Sequence, residues 1–138
     1  MGIDLELADV VVAFSQMYAC RQSGRPCEHR PNCTAHHDRL VAEAAAARPG
    51  EEFPTEFRYR RFHDIVEKME LTGMGGIPSF KLLSNGPWLV TAQEIDEALA
   101  AYAQAPTALR VRLEIDPRWA AWLAWLAVAR DHGGFEAE

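Results

Sequence analysis

Residues 117–130 read PRWAAWLAWLAVAR, and this stretch does most to decide the fold. Asp116 precedes it as a helix N-cap, Pro117 suits the first helical position, and Gly133 stands just beyond the expected helix end. Trp119 and Trp122 share one face, while leucine and a further tryptophan cover other faces. Because a helix that is apolar nearly all round must be buried on most sides, we predict a central C-terminal helix.

The same tryptophans allow a second interpretation. Aromatic side chains concentrate at the anchors of protein interfaces, so Trp119 and Trp122 are also candidate partner-binding residues. In this interpretation part of the C-terminal helix forms a homodimer or meets another protein.

The segment before this helix contains one clear helix start and one ambiguous stretch. Thr91 and Glu94 have the spacing of a capping box, which predicts a helix from residue 92 to about Gln104. Between residues 107 and 115, apolar and polar residues alternate, which favours a strand. A short helix after Pro106 fits nearly as well, and the sequence leaves both possibilities open.

Two short apolar runs lie farther upstream, at residues 80–83 and 88–90. They flank Ser84-Asn85-Gly86-Pro87, and an Asn-Gly pair between apolar runs is a typical hairpin signal. We therefore predict an antiparallel hairpin near residues 80–90.

The N-terminal half is predicted to be mainly helical, because apolar residues recur there at helical spacing. We expect short strands at 3–7 and 57–60. Helices are expected at 8–22, from just after Cys33 or Thr34 to Pro49, and at 62–71. The resulting fold class is α+β: a helical N-terminal half, a short antiparallel sheet with the 80–90 hairpin, and a tryptophan-rich C-terminal helix. We expect one compact domain over residues 1–138.

The composition excludes several classes of protein. No apolar run approaches the roughly 20 residues that cross a bilayer, and the acidic N-terminus does not resemble a secretory signal, so we expect a cytoplasmic protein without a membrane partner. The formal net charge is −6, which argues against general binding to nucleic acid. Positive charge prevails only in the middle third of the chain, residues 21–61.

All three cysteines and three of the five histidines lie between residues 20 and 37. Structural zinc takes four thiolate or imidazole ligands in a tetrahedron, and a proline-broken loop that runs into a helix can bring such side chains together. The predicted ligands are Cys27, His29, Cys33 and His37. Two substitutions stay open: His36 in place of His37, and Cys20 in place of His29.

This spacing matches no finger, knuckle or ribbon pattern, so two further interpretations remain. In the first, the cysteines pack as small apolar side chains and the histidines belong to an ordinary polar loop. In the second, Cys33 at a helix N-terminus is a nucleophile with a lowered pKa and is paired with His36 or His37.

A basic segment follows the second helix. Arg58 and Arg60 lie on the predicted strand at 57–60 and are candidate residues for binding an acidic partner or a nucleic acid backbone. The alternative is that these charges only keep an exposed strand edge from pairing with other chains.

Residues 76 to about 135 resemble the C-terminal half of small uncharacterised proteins of high-GC actinobacteria and their phages. The resemblance rests on Gly-Ile-Pro at 76–78, Ser-Asn-Gly-Pro-Trp at 84–88 and His-Gly-Gly-Phe at 132–135. It implies no activity.

Three functions from different classes follow. The first is a non-catalytic binding or regulatory protein with a structural zinc site in the 20–37 loop. The second is a metal-free acidic module that binds another protein, of inhibitor or immunity type, through electrostatic steering. The third is a small thiol enzyme that uses Cys33.

Overall fold

The computed structural model describes residues 2–47, 56–84 and 86–137 of the chain. Within these ranges the chain forms seven helices and four strands. In chain order they are β1 (Gly2–Leu7), α1 (Ala8–Gln22), α2 (Cys33–Ala47), β2 (Glu56–Arg58), α3 (Tyr59–Leu71), α4 (Phe80–Leu83), β3 (Trp88–Val90), α5 (Ala92–Ala103), α6 (Thr107–Glu114), α7 (Pro117–Arg130) and β4 (Phe135–Ala137). This arrangement confirms the α+β class, the helical N-terminal half and the C-terminal tryptophan helix. The predicted helix stop at Pro49 lies outside the described residues.

The four strands form one antiparallel sheet in the order β2-β1-β4-β3. The first half of β1 pairs with β2, with Gly2 opposite Arg58, and its second half pairs with β4, with Leu5 opposite Ala137. On its other edge β4 pairs with β3, with Val90 opposite Phe135. The last residues of the chain therefore join its first strand to a strand from its middle.

Helix α7 is the centre of the core. Trp119, Trp122 and Trp125 have exposed fractions of 1% or less. The rings of Trp122 and Trp125 contact Phe135 of β4 edge-on at centroid distances of 6.0 and 5.9 Å. Trp119 packs against Tyr102 of α5 and donates its indole N–H to the Tyr102 hydroxyl at 3.3 Å. The helix is thus enclosed by the sheet on one side and by α5 on another, as its apolar surface requires.

This burial corrects the interpretation of Trp119 and Trp122 as partner-binding residues. Neither side chain has exposed surface, because each is packed inside its own chain. A homodimer through these two residues would require the core to open, and we abandon that prediction. Arg58 and Arg60 lie at the end of β2 and the start of α3. Their side chains fall outside the described part of the structure, so their predicted role in partner binding stays a prediction.

The turn between α7 and β4 fastens the C-terminus to α1. Gly133 and Gly134 have φ of +77° and +94°, so only glycine adopts this turn without strain. Gly134 also approaches the backbone of Val90 so closely that no Cβ would fit there. Its carbonyl accepts the Ala8 N–H at 3.0 Å, and His132 Nδ1 lies 2.6 Å from Asp9 Oδ2. The His-Gly-Gly-Phe sequence at 132–135 therefore has a structural role: it holds the turn between α7 and β4 against α1.

The predicted 80–90 hairpin is wrong. Residues 80–83 form the short helix α4, and β3 pairs with β4 instead. The apolar run Phe-Lys-Leu-Leu contains no β-branched residue, and Pro78 suits the turn before a helix. The helix buries Leu82 completely and directs Lys81 toward the Leu89 carbonyl and Glu94. Asn85, the centre of the expected turn, is outside the described residues.

Two other local predictions are resolved by their surroundings. The predicted strand at 57–60 is wrong beyond Arg58, where α3 begins. Arg58 pairs with Gly2, the first residue of β1, and from Tyr59 onward the backbone forms the helix α3. The ambiguous stretch 107–115 is helical over α6. The capping box at Thr91 is confirmed, with Glu94 N–H donating to the Thr91 hydroxyl at 3.1 Å.

Helices α1 and α2 pack against each other. Small and apolar side chains are buried on both helices: Val10, Ala13 and Met17 of α1, and Leu40 and Ala44 of α2. Since both helices are fixed to the core in this way, the loop at 23–32 has two rigid ends.

Candidate metal centre

The end of α1 positions the first side chain of the centre. Cys20 lies in the last turn of α1, and its carbonyl accepts a hydrogen bond from the Ser23 hydroxyl at 2.6 Å. Gly24 then takes φ of +68°, the left-handed conformation that commonly ends a helix. Pro26 and Pro31 keep the following backbone from forming a helix. The chain therefore reverses beside Cys20 and returns across the end of α1.

The start of α2 positions the last side chain. Asn32 caps the helix, because its side-chain oxygen accepts from the N–H of Thr34 at 3.0 Å and from the N–H of Ala35 at 3.3 Å. Cys33 follows as the first helical residue and is buried, with 7% of its surface exposed. The cap fixes the direction of α2 and, with it, the direction of the Cys33 side chain.

Four potential ligands meet between these two helix ends. One donor atom each from Cys20, Cys27, His29 and Cys33 lies within 4.8 Å of all the others. The sulfur of Cys27 is 3.8 Å from His29 Nδ1 and accepts the backbone N–H of Cys33 at 3.5 Å. All three cysteines are free thiols. The site is therefore a Cys3His cluster that could hold a metal ion.

The distances suit a tetrahedral site after a small contraction. With zinc at about 2.3 Å from sulfur and about 2.0–2.1 Å from nitrogen, neighbouring ligand atoms are about 3.5–3.8 Å apart. The Cys27–His29 pair already has this separation. Soft thiolates with one imidazole favour zinc over magnesium or calcium, which prefer oxygen ligands. The donor set is therefore compatible with zinc.

The cluster shifts the acidity of its thiols. The backbone N–H of Cys33 donates to the Cys27 sulfur, and the hydrogen bond with His29 adds to this effect, so the pKa of Cys27 is lowered to about 6. The lowered pKa favours the thiolate form of Cys27. This is the form that binds a metal.

The other two thiols respond in the opposite direction. The hydrogen bond with the Cys27 sulfur, together with burial, raises the pKa of Cys20 to about 11. Burial and then the neighbouring Cys27 sulfur raise the pKa of Cys33. Without a cation, a second negative charge so close to the Cys27 thiolate is unfavourable. A bound divalent ion reverses this relation, because a coordinating thiol is deprotonated outright.

Three of the four predicted ligands are brought together by the structure, namely Cys27, His29 and Cys33. His37 does not belong to the group, and Cys20 supplies the fourth donor. The sequence suggested Cys20 as an alternative ligand, but in place of His29. In the structure Cys20 takes the place of His37, and His29 remains in the cluster.

The two excluded histidines have other contacts. The His37 ring packs against Phe14 of α1 at a centroid distance of 5.6 Å, and its Nδ1 lies 3.6 Å from an Asp38 carboxylate oxygen. His36 Nδ1 lies 3.0 Å from the guanidinium of Arg39. His37 therefore serves the contact between α1 and α2, and His36 joins a polar pair on the surface of α2.

The same geometry counts against a thiol enzyme based on Cys33. That proposal required an accessible thiolate with a lowered pKa and a histidine beside it. Cys33 is instead buried with a raised pKa, and His36 and His37 contact other residues. Although Cys33 begins α2, burial first and the Cys27 sulfur second raise its pKa.

A sequence signal for Cys20 existed but was weak. Met17 is buried and lies three residues before Cys20, so the two share a side of α1, and Gly24 marks a chain reversal just after them. Together these features place Cys20 beside the returning loop. A search for ligands that is restricted to the loop and α2 misses Cys20, because Cys20 belongs to the preceding helix.

Comparisons of the chain with protein-family models, with curated proteins and with solved structures give no match. Across residues 2–47, 56–84 and 86–137, no helix combines the length and the apolar character that crossing a membrane demands. The function must therefore be argued from the site itself.

Proposed function

We propose that the protein is a small non-catalytic binding or regulatory protein whose α1–α2 pair is fastened by a structural zinc ion. One observation carries the proposal: donor atoms from Cys20, Cys27, His29 and Cys33 lie within 4.8 Å of one another. Four protein ligands complete a tetrahedron and leave no open position for substrate, which is typical of structural rather than catalytic zinc.

The placement of the ligands supports a structural role. Cys20 belongs to α1, Cys33 begins α2, and Cys27 and His29 lie on the loop between them. A metal ion bound there links two helix ends and shapes a loop that has no strand or helix of its own. Such a site adds its binding free energy to the stability of the folded state.

The proposal includes a reducing, cytoplasmic environment and a protein partner. Three free thiols persist where disulfides do not form, which agrees with the first point. For the second, the net charge of −6 favours a basic partner, and α1 carries two exposed aromatic side chains that stack on each other. Phe14 and Tyr18 are 51% and 57% exposed and stack at a centroid distance of 6.4 Å. They replace Trp119 and Trp122 as candidate partner-binding residues.

The first experiment measures zinc in the purified protein by mass spectrometry under native conditions. We expect one zinc ion per chain in the wild type and in His37→Ala, because His37 is not in the cluster. We expect Cys20→Ala to lose zinc on dialysis. Removing a hydrogen-bond partner of a ligand costs roughly 10–100-fold in metal affinity, and removing a ligand costs more.

The pair of variants makes the result decisive. Loss of zinc from His37→Ala with retention in Cys20→Ala would restore the ligand set predicted from the sequence and contradict the one proposed here. A wild-type protein that binds no zinc under reducing conditions would refute the metal proposal and leave the acidic interaction module as the function to test.

A further inference from the structure

A cavity of about 430 Å³ adjoins the candidate metal centre. It lies between the last turn of α1 and the loop, and its lining residues are Gln16, Ala19, Cys20, Ser23, Arg25, Pro26, Glu28 and His29. Cys20 and His29 are metal ligands in the proposed function, whereas Cys27 and Cys33 do not line the cavity. The cavity therefore reaches one side of the ligand cluster, and its volume is within the range of sites for small molecules.

His29 is the ligand most open to exchange. It is the exposed member of the cluster, while Cys33 is buried and the other two cysteines are half-buried. Within the described residues its side chain has one recorded hydrogen-bond contact, with the Cys27 sulfur. Metal-binding histidines are normally held by a second hydrogen bond from the other ring nitrogen to a carboxylate or carbonyl. Without such support, the His29 ring can turn away while the three sulfurs stay in place.

The cavity also offers one charge of each sign. Arg25 and Glu28 both line it, and in the described part of the chain neither side chain forms a salt bridge. A guanidinium recognises a carboxylate, and a carboxylate recognises an ammonium group. The cavity thus offers charges complementary to those of a small molecule that carries both groups.

We propose that this cavity binds a low-molecular-weight thiol that also carries a carboxylate and an ammonium group, and that its sulfur takes the place of His29 on the metal. The inference rests on the proposed zinc site. Arg25 holds the carboxylate, Glu28 holds the ammonium group, and the metal binds the sulfur. The site then reports the concentration of small thiols through the conformation of the 23–32 loop.

The exchange is balanced without any oxidant. The S–H bond of the incoming thiol breaks, and its proton moves to the His29 nitrogen as that nitrogen leaves the metal. One metal–nitrogen bond is replaced by one metal–sulfur bond, and no electrons are transferred. The number of ligands would stay at four, with the three protein cysteines still bound to the metal.

The test uses the full chain loaded with Co²⁺, whose visible absorption depends on the number of sulfur ligands. Free cysteine is the probe. We expect a saturable shift from the spectrum of three sulfurs and one nitrogen to that of four sulfurs, with cobalt still on the protein after gel filtration. Serine, which lacks the thiol, should leave the spectrum unchanged.

Two variants and one control separate recognition in the cavity from simple metal chemistry. Arg25→Ala should raise the cysteine concentration at half-saturation by about tenfold, equivalent to one charge-assisted hydrogen bond. His29→Ala should lower it by at least about tenfold, since no ligand competes. Arg21→Ala is the matched control, because Arg21 is exposed on α1 but does not line the cavity, and it should behave as wild type.

The outcomes distinguish this inference from the proposed function. A chain that never gives a sulfur-rich cobalt spectrum refutes the metal site and the inference together. A normal cobalt spectrum that cysteine does not change refutes the inference alone. The inference also fails if cysteine strips cobalt from the protein, or if Arg25→Ala and wild type respond at the same concentration.

Discussion

Removing the metal should lower the thermal stability by an amount that the structure allows us to calculate. The ion links Cys20 to Cys33 and so closes a segment of 14 residues, 20–33. The ion binds the folded chain and is released from the unfolded one, so free zinc at about 100 to 1,000 times its Kd stabilises the fold by about 3–4 kcal/mol. Unfolding a chain of 138 residues increases its entropy by about 290 cal/mol/K near 60 °C. Dividing the stabilisation by this entropy gives a decrease in Tm of about 10 °C when the ion is removed.

The assay follows helical circular dichroism on heating, with equimolar zinc and then with excess chelator, under reducing conditions. We expect a difference of about 10 °C for the wild type and for His37→Ala, and almost none for Cys20→Ser. An equal response of wild type and Cys20→Ser to the chelator would mean that the stabilising ion, if any, binds elsewhere. That result would refute the reasoning.

Two further predictions concern the fold that carries the site. Gly134→Ala should lower the free energy of unfolding in urea by about 2–5 kcal/mol, because φ is +94° and a Cβ would lie 2.0 Å from the Val90 carbonyl oxygen. Gly24→Ala has open space around it and should cost only about 1–2 kcal/mol. Equal costs would contradict this account. Burial alone would raise the pKa of Glu94, but hydrogen bonds from Lys81 and from the backbone outweigh burial and lower it. A lowered pKa contributes stability above the ordinary value of 4.5 that is lost as pH falls through the folded-state pKa, so Glu94→Gln should flatten the acid side of the stability profile. An unchanged profile would count against the ion pair.

The sequence predicts the elements that carry their own local signals. Three such signals are the capping box at Thr91, the N-cap Asp116 and the glycine after α1. Each acts on backbone groups within a few residues, so distant parts of the chain do not alter the structure that it predicts. The burial of α7 follows in the same way, because a helix with apolar side chains on all faces has no stable alternative in water.

The sequence does not predict the sheet, since strand pairing depends on distant partners. β4 has only three residues, and it forms a strand because it pairs with β1 and β3 on either side. Because β4 pairs with β3, residues 80–83 are not needed as its partner strand. Their helix propensity then determines that they form a helix. The 80–90 hairpin failed for this reason: its local signal was compatible with two structures.

The candidate site was predicted in three of its four ligands, and the error has a physical cause. His37 lies one turn after Cys33 on α2, a spacing that suits a metal site if the loop folds over α2. The loop folds over the end of α1 instead, because Gly24 reverses the chain there. His37 then faces Phe14, and Cys20 takes its place in the cluster.

The coordination sphere of the bound metal tests the central claim most directly. X-ray absorption at the zinc edge of the wild-type protein should give three sulfur atoms at about 2.3 Å and one nitrogen at about 2.0–2.1 Å. Two sulfurs with two nitrogens would instead indicate the sequence-predicted set that includes His37, and mainly oxygen neighbours would indicate adventitious binding. Either result would contradict the Cys20, Cys27, His29 and Cys33 centre.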